Sequence, residues 1–537
     1  MAQIGAALGR SFSYELINVV AEMPKEKLDR ALEQLFNAEL IFRRGVPPDA
    51  EYTFKHALVQ DAAYSTLLRS RRQQLHARIA ATLESRFSEI AVAEPGVLAQ
   101  HCTEAGLTDK AVSYRLKAGQ QGVARSAMTE AVSQLRKGLE LLPNLPDDTG
   151  RLQRELDLQI TLGQALMAIQ GYSAPEVGQT YARARQLCEQ LDWPPQLVAV
   201  LNGQCAYQLC VPEDLARALP YADELLTLGE ARNAKAIQRA GHNLRGMVHL
   251  WLGNFVAARK DFEKSLKIHT PARRAPSKAP AAEDPRVAAL INMSTALSYL
   301  GYADQARERD ADALAEANNL GHAYQRAYAL GLHFCNWTVQ PVKDTFRRAE
   351  TVYAIATEHG FPMWQTLATV VRGWCLASLG KPDEGITQLQ KCVSLWRSFG
   401  AEVGMPLFLT FLADACGKAG QPDEGLKHIA EAARSIEVRN ERIYEAEMHR
   451  IKGELFRSMQ RVSAAEASFR EAIAVARRQS AKLFELRAAN SLAHLWRYQG
   501  NRELARDLLA PVYGWFTEGF DTLDLKEAKA LLDELST

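Results

Sequence analysis

No pair of cysteines in this sequence has the C-x-x-C spacing of a zinc or redox site. Cys102, Cys188, Cys205, Cys210, Cys335, Cys375, Cys392 and Cys416 stand singly, the usage of reduced thiols in a packed core. No stretch approaches the roughly 18 uninterrupted apolar residues that cross a bilayer. The N-terminus MAQIGAALGRSFSYELINVV lacks a basic lead into an apolar segment, so the expected compartment is the cytoplasm, with no membrane contact. Net charge is nearly absent too. Sixty-four Lys plus Arg face 63 Asp plus Glu, leaving +1 and no global field to draw the chain onto nucleic acid. The phosphate-cradling G-x-x-x-x-G-K-[ST] does not occur: Gly380-Lys381 and Gly417-Lys418 are followed by Pro382 and Ala419, without the upstream glycine. There is no G-x-S-x-G elbow, and His101-Cys102 and His242/His249 lack a third or fourth ligand at metal spacing. No catalytic residue, metal or cofactor is therefore expected, and the chain reads as a non-enzyme.

What is present is a repeat. Turn residues Gly380, Gly420, Gln460 and Gly500 follow one another at intervals of forty in the segments RGWCLASLGKPDEGITQLQKC, LADACGKAGQPDEGLKHIAEAA, KGELFRSMQRVSAAEASFREAI and SLAHLWRYQGNRELARDLLAPV. Backwards in the same register stand Gln340, Gly301, Gly253, Val211 and Gly171, with steps of 40, 39, 48, 42 and 40. The long step contains PARRAPSKAPAAEDP, which predicts a surface loop insertion at 271–285. Two tighter units, TEAGLTDKAVSYRLKAG and ARSAMTEAVSQLRKGLELL, begin the series near Thr103. Small residues precede each turn by seven positions (Gly246, Ser294, Gly373, Ala413, Gly453, Ala493) and follow it by five (Ala258, Ala306, Gly385, Gly425, Ala465, Ala505). Four further on, Phe262, Leu389, Ile429, Phe469 and Leu509 supply a larger side chain. Small groups at both places let two antiparallel helices cross closely, and the larger one fills the groove between them.

That pattern resembles tetratricopeptide repeats, in the longer variety of about forty residues rather than about 34. It covers Thr103 to Val512, most clearly in the last four units and at Gly253 and Gly301, and is degenerate near Gly171, Val211 and Gln340. The expected fold is all-α: a right-handed tetratricopeptide-like superhelix, or α-solenoid, whose units contact only their neighbours and whose concave face accepts a protein or peptide.

The first ninety residues do not follow the repeat. Helical patterns cover Tyr14 to Ala21 and Glu26 to Ala38, and Leu40–Arg44 and Glu51–Phe54 read as a hairpin around Gly45–Ala50. Two helices and a hairpin suggest a small winged-helix-like module, followed by one long helix from His56 to Phe87. The implied organisation is the module with its connecting helix over 1–90, about eleven repeat units over 91–520, and a C-terminal capping helix over 521–537. Residues 1 to 90 carry twelve Lys/Arg and eleven Asp/Glu, and Glu26, Asp29 and Glu33 of the presumptive recognition helix would repel a phosphate backbone. The local basic stripe Arg69, Arg71, Arg72 and Arg78 is the best argument for DNA, and the near-neutral module argues against it. Trp251, Trp364, Trp374, Trp396 and Trp496 suit either the core or a groove wall.

The runs AQIGAALGRSFSYELI, AELIFRRG, YTFKHALVQDAAYSTLLRSRRQQLHARIA and LAQHCTEAGLTDKAVSYRLKAG, with GQPDEGL and YEAEMHRIKGEL further on, carry a closer resemblance. They are similar to the region after the ATPase core in bacterial signalling proteins of the STAND class, specifically those with an N-terminal class III adenylate/guanylate cyclase domain, an AAA-like ATPase and a C-terminal tetratricopeptide array. The resemblance implies an interaction and signal-sensing scaffold whose module transmits to an ATPase or cyclase chain. It also implies that Phe54-Lys55-His56 occupies the position from which a STAND histidine reaches the nucleotide β-phosphate, a contact His56 could make only in trans. Two alternatives stand beside this reading: a truncated cyclase-family protein, and a winged-helix DNA-binding regulator.

Overall fold

The structure, a computed structural model, describes residues 1–192, 195–268, 284–332 and 340–536. Cys335, and the expected loop insertion apart from Asp284 and Pro285, lie outside the described residues. The chain divides into two compact units, one of Met1–Gly122 with Glu130–Leu162, the other of Val123–Thr129 with Gly163–Thr537.

The first unit opens with helix Ala2–Leu8 and three short strands, β1 (Ser11–Ser13), β2 (Ile41–Arg44) and β3 (Glu51–Phe54). They form one antiparallel sheet in the order β1-β3-β2, with Phe12 opposite Tyr52 and Ile41 opposite Phe54. Alternation along β3 turns Tyr52 and Phe54 inward, onto a core of Phe12, Ile17, Leu28 and Leu32. The Ser13 hydroxyl accepts from the Leu16 amide and starts helix Tyr14–Ala21. Helix Lys25–Asn37 follows, and the sequence-predicted hairpin is β2 and β3. The expected long helix from His56 to Phe87 is not continuous: it breaks into Ala57–Ser65 and Arg69–Arg86. The Ser65 and Thr66 hydroxyls donate to the carbonyls of Ala62 and Ala63, drawing the turn closed, while Leu68 takes an extended conformation.

The second unit is a series of antiparallel helix pairs. Its regular part runs Lys235–Trp251 with Phe255–Lys267, Pro285–Leu300 with Ala303–Leu320, Pro362–Ser378 with Pro382–Ser398, Met405–Lys418 with Pro422–Arg439, Glu445–Ser458 with Val462–Arg478, and Lys482–Tyr498 with Arg502–Tyr513, closed by Leu523–Ser536. Gly253, Gly301, Gly380, Gly420, Gln460 and Gly500 all have left-handed φ, between 59° and 96°, the conformation that ends one helix and reverses the chain. Helix crossings are close. A methyl on Gly385 would lie 2.6 Å from the Gly373 carbonyl oxygen, and one on Gly425 2.9 Å from that of Ala413. A methyl on Gly246 would meet the Phe262 ring at 2.8 Å, and one on Gly453 would overlap Phe469. Ala258, Ala465, Ala493 and Ala505 are fully buried. At the degenerate Val211 the chain is extended, with φ −74°, and enters a 3-10 turn at Leu215–Ala218 before the next helix, Leu219–Ala231.

Units of the array do not contact only their neighbours. Pairs 214 to 230 residues apart are hydrogen-bonded: Ser173 to the Phe399 carbonyl, Arg439 to the carbonyls of Leu209 and Val211, and Glu518 to the Asp304 amide. Further along, the amides of Arg442 and Ile443 donate to the Trp251 carbonyl. The array coils tightly enough that turns of its early hairpins rest on connections between its late ones. Glycine makes the approach possible: a side chain at Gly301 would meet Trp515 at 2.8 Å, and one at Gly253 would overlap Gln479.

Candidate functional site

A cavity of the second unit, about 1040 Å³, opens on the first helices of the late hairpins. Trp374 and Ser378 come from one such helix, Phe411 and Lys418 from the next, then Tyr444, Glu447, Arg450 and Glu454, then Arg487, and Asp524 with Glu527 from the last.

The floor of this groove is an ion network. Glu447, 2% exposed, accepts from Arg450 at 2.6 and 2.9 Å and from Arg487 at 3.0 and 3.2 Å. Arg487 also bonds Asp524, and Arg450 reaches Glu454, which accepts from Ser491 at 2.7 Å. Burial opposes ionisation of Glu447, but the two guanidinium groups outweigh it and hold its carboxyl at about 2. Burial raises Asp524, with Arg487 only partly offsetting it, and burial raises Glu527, with the Asp524 charge adding to the effect. The Tyr444 hydroxyl is pushed well above its ordinary value, first by burial and then by Glu447. Arg450 and Arg487 are thus locked in place. A ligand carboxylate or backbone carbonyl at the groove would meet fixed donors rather than flexible chains.

The network had a signal in the sequence that the repeat analysis did not use. Glu447 and Arg487 occupy one register position a full period apart, as do Ser378 and Lys418, whose Nζ lies 3.4 Å from the serine hydroxyl. Opposite or complementary polar groups at equal positions of stacked repeats pair across the stack. Asp310 stands where other units place Phe262 or Leu389, and although buried it is bonded at 2.8 Å by Arg348, which lies one position short of the same register in the next unit.

A second hollow of the same unit, about 100 Å³, shares no lining residue with the groove. Trp251, Trp364 and Trp396 wall it, with Tyr172, Met363 and Phe408, so three of the five tryptophans singled out by sequence face one cavity, while Trp374 lines the groove and Trp496 is core.

Other sequence-predicted residues are less assembled. His56 is exposed at the N-terminal end of helix Ala57–Ser65 and makes no capping bond. Of the basic stripe, Arg78 is bound to the Val20 carbonyl and Glu22, and Arg72 lies over the Tyr64 ring at 4.5 Å; Arg69 and Arg71 are exposed. His101 is not a lone ligand candidate. Its Nδ1 lies 2.8 Å from that of His76, whose Nε2 lies 2.8 Å from the Tyr64 hydroxyl, and burial takes His101 down to about 4. One neutral imidazole donates to the other. Burial pushes the thiols of Cys102, Cys188 and Cys416 up to about 11 and those of Cys375 and Cys392 to about 12, which leaves them poor nucleophiles. His242 bonds Asp261 at 2.8 Å, and among the described residues no group of three or more His, Cys, Asp or Glu could hold a metal ion.

No family model matches the chain. An uncharacterised protein of Rhizobium meliloti (strain 1021) is 26% identical over 510 residues, 92% of this chain. The chain spans about half, 48%, of that relative's length. Solved structures similar to it include a Rap protein complexed with competence and sporulation factor (12% identity, TM-score 0.37, 79% of this chain and 96% of that one). A STAND protein with a tetratricopeptide repeat sensor from Pyrococcus horikoshii also aligns (12%, TM-score 0.31, 100% of this chain and 65% of that one). So does a tetratricopeptide repeat protein from Parabacteroides merdae (13%, TM-score 0.32, 59% and 99%).

Proposed function

We propose that this chain is a non-catalytic interaction and signal-sensing scaffold of a bacterial STAND/cyclase-type system, which holds a protein or peptide segment in the groove of its late repeats. The groove floor carries the reading. Its arginines are pre-paired and fixed, so binding a segment would order few additional side chains there, and its rim, with Lys418, Arg457, Asp414 and Lys526, is charged in both signs. Such a surface selects a polar, extended segment of mixed charge. The short sheet and flanking helices of the first unit support a winged-helix module that hands the signal to an ATPase or cyclase, with exposed His56 available to a nucleotide phosphate. The sequence resemblance motivates this last step.

Photo-crosslinking in cells tests the groove. A benzoylphenylalanine at Ser458, which lines it, should capture a discrete protein, and K418E with R457E should abolish the product without changing the melting temperature. An equal product from a crosslinker at Ala467, exposed on a second helix, would defeat the proposal. Mixing the chain with the captured ATPase should alter nucleotide turnover, and His56→Ala should remove that effect.

A further inference from the structure

The smaller hollow is built differently from the groove. Its wall is almost entirely apolar, contributed by hairpins far apart in sequence: Ala206 and Met247 from early helices, Trp364, Trp396 and Phe408 from later ones. Trp364 meets Tyr328 edge to face at 5.5 Å and 76°, and Trp396 meets Phe408 at 5.3 Å and 84°, so rings of fixed orientation define the sides. A water needs roughly 10–15 Å³ on this measure and two to four polar partners. About 100 Å³ has room for several waters. Several polar groups of the wall are already engaged: Trp396 Nε1 donates to the Val403 carbonyl at 2.9 Å, the Tyr172 hydroxyl lies 2.8 Å from that of Tyr324, and the Gly404 amide donates to Glu441 at 2.8 Å. Asn292, 6% exposed, donates to the Ala288 carbonyl at 2.9 Å and lies 3.5 Å from the Tyr328 hydroxyl. This last pair is long enough to open for a guest.

We propose that this hollow is a binding site for a small planar aromatic molecule bearing one hydroxyl or equivalent polar group. The ring lies between the indoles and the polar group exchanges with the Asn292–Tyr328 pair. Rings match rigid edge-and-face walls with little entropy lost on either side, and Met247 and Met363 adjust to the outline. The site is separate from the groove and does not depend on a peptide partner. Because its walls come from hairpins far apart in sequence, an occupant ties the earlier ones to the later ones.

The full chain titrated with phenol, and separately with toluene, tests this. Saturable change in tryptophan fluorescence, a higher melting temperature, and phenol bound more tightly than toluene are the expected results. Ala206→Phe, at a half-buried wall position, should fill the space and raise the phenol Kd at least tenfold. Met247→Phe serves if that variant does not fold. Asn292→Leu should keep toluene binding and remove the preference for phenol. A linear, unsaturable response of the unaltered protein up to the solubility of phenol would overturn the proposal, as would equal phenol affinity in the filled variant.

Discussion

Turn glycines of the early and late hairpins share one backbone conformation and serve different ends. Around Gly380, Gly420 and Gly500 nothing lies where a side chain would go, whereas Gly301 faces Trp515 and Phe516 within 2.9 Å and Gly253 faces Gln479 and Arg442. In the late turns glycine answers only the left-handed φ, and the repeat tolerates Gln460 there at φ 59°. In the early turns it answers both φ and space, since the next coil is seated on it. A repeat can therefore look uniform in sequence while some of its turns are open reversals and others are contact surfaces.

The contact between coils is where this comparison breaks most easily. Arg439 is 2% exposed and binds Glu441 and two carbonyls of the early hairpins, so Arg439→Ala should destabilise the second unit by about 3–5 kcal/mol, leaving a buried carboxylate unpaired. Denaturant unfolding measures it. A loss below about 1 kcal/mol would mean the coils are not held together there. Overpacking a hairpin crossing is next: Gly453→Leu collides with Phe469 and should cost about 3 kcal/mol, and Ala465→Leu, at a fully buried position, a similar amount. Gly301→Ala combines a disfavoured φ with a contact at 2.8 Å and should cost about 2 kcal/mol, against about 1 kcal/mol for Gly420→Ala, where only φ matters. Equal losses would erase the distinction between early and late turns. Gln460→Gly relieves strain and should stabilise by less than about 1 kcal/mol.

pH sharpens the same contrast. Burial raises the Glu441 carboxyl from 4.5 to about 7 despite Arg439 and the Gly404 amide. A raised folded value means the folded state binds a proton the unfolded chain has released, so this group makes stability fall as pH climbs from about 4.5 to 7. Glu447, lowered from 4.5 to about 2, acts the other way: its contribution is complete above 4.5 and is lost as pH drops towards 2. Unfolding midpoints at pH 5, 6, 7 and 8 should show a downward slope that Glu441→Gln reduces. An unchanged slope would place Glu441 outside the coil contact.

Readability tracked sequence distance. The forty-residue interval, the left-handed turns and the small residues at helix crossings act within one hairpin, so their pattern is written in adjacent residues. In the first unit the β2–β3 hairpin and the two helices before it were visible, but β1 was not, because Ser11–Ser13 is too short to show alternation. The break after Ser65 was missed because helical periodicity continues through it and no glycine or proline marks it. The groove network needed pairs forty residues apart to be compared position by position, and the aromatic hollow needed residues such as Ala206 and Phe408, which no local pattern connects.

Sequence by itself determined that this chain would be a series of paired helices, since propensity, turn conformation and crossing distance are short-range properties of each unit. Only the tertiary structure decided how tightly the series coils. That depends on small rotations between units, accumulated over several repeats, which bring Gly301 to Trp515 and Arg439 to Leu209. Coil contacts, apolar hollow and ion-floored groove all follow from that accumulated angle.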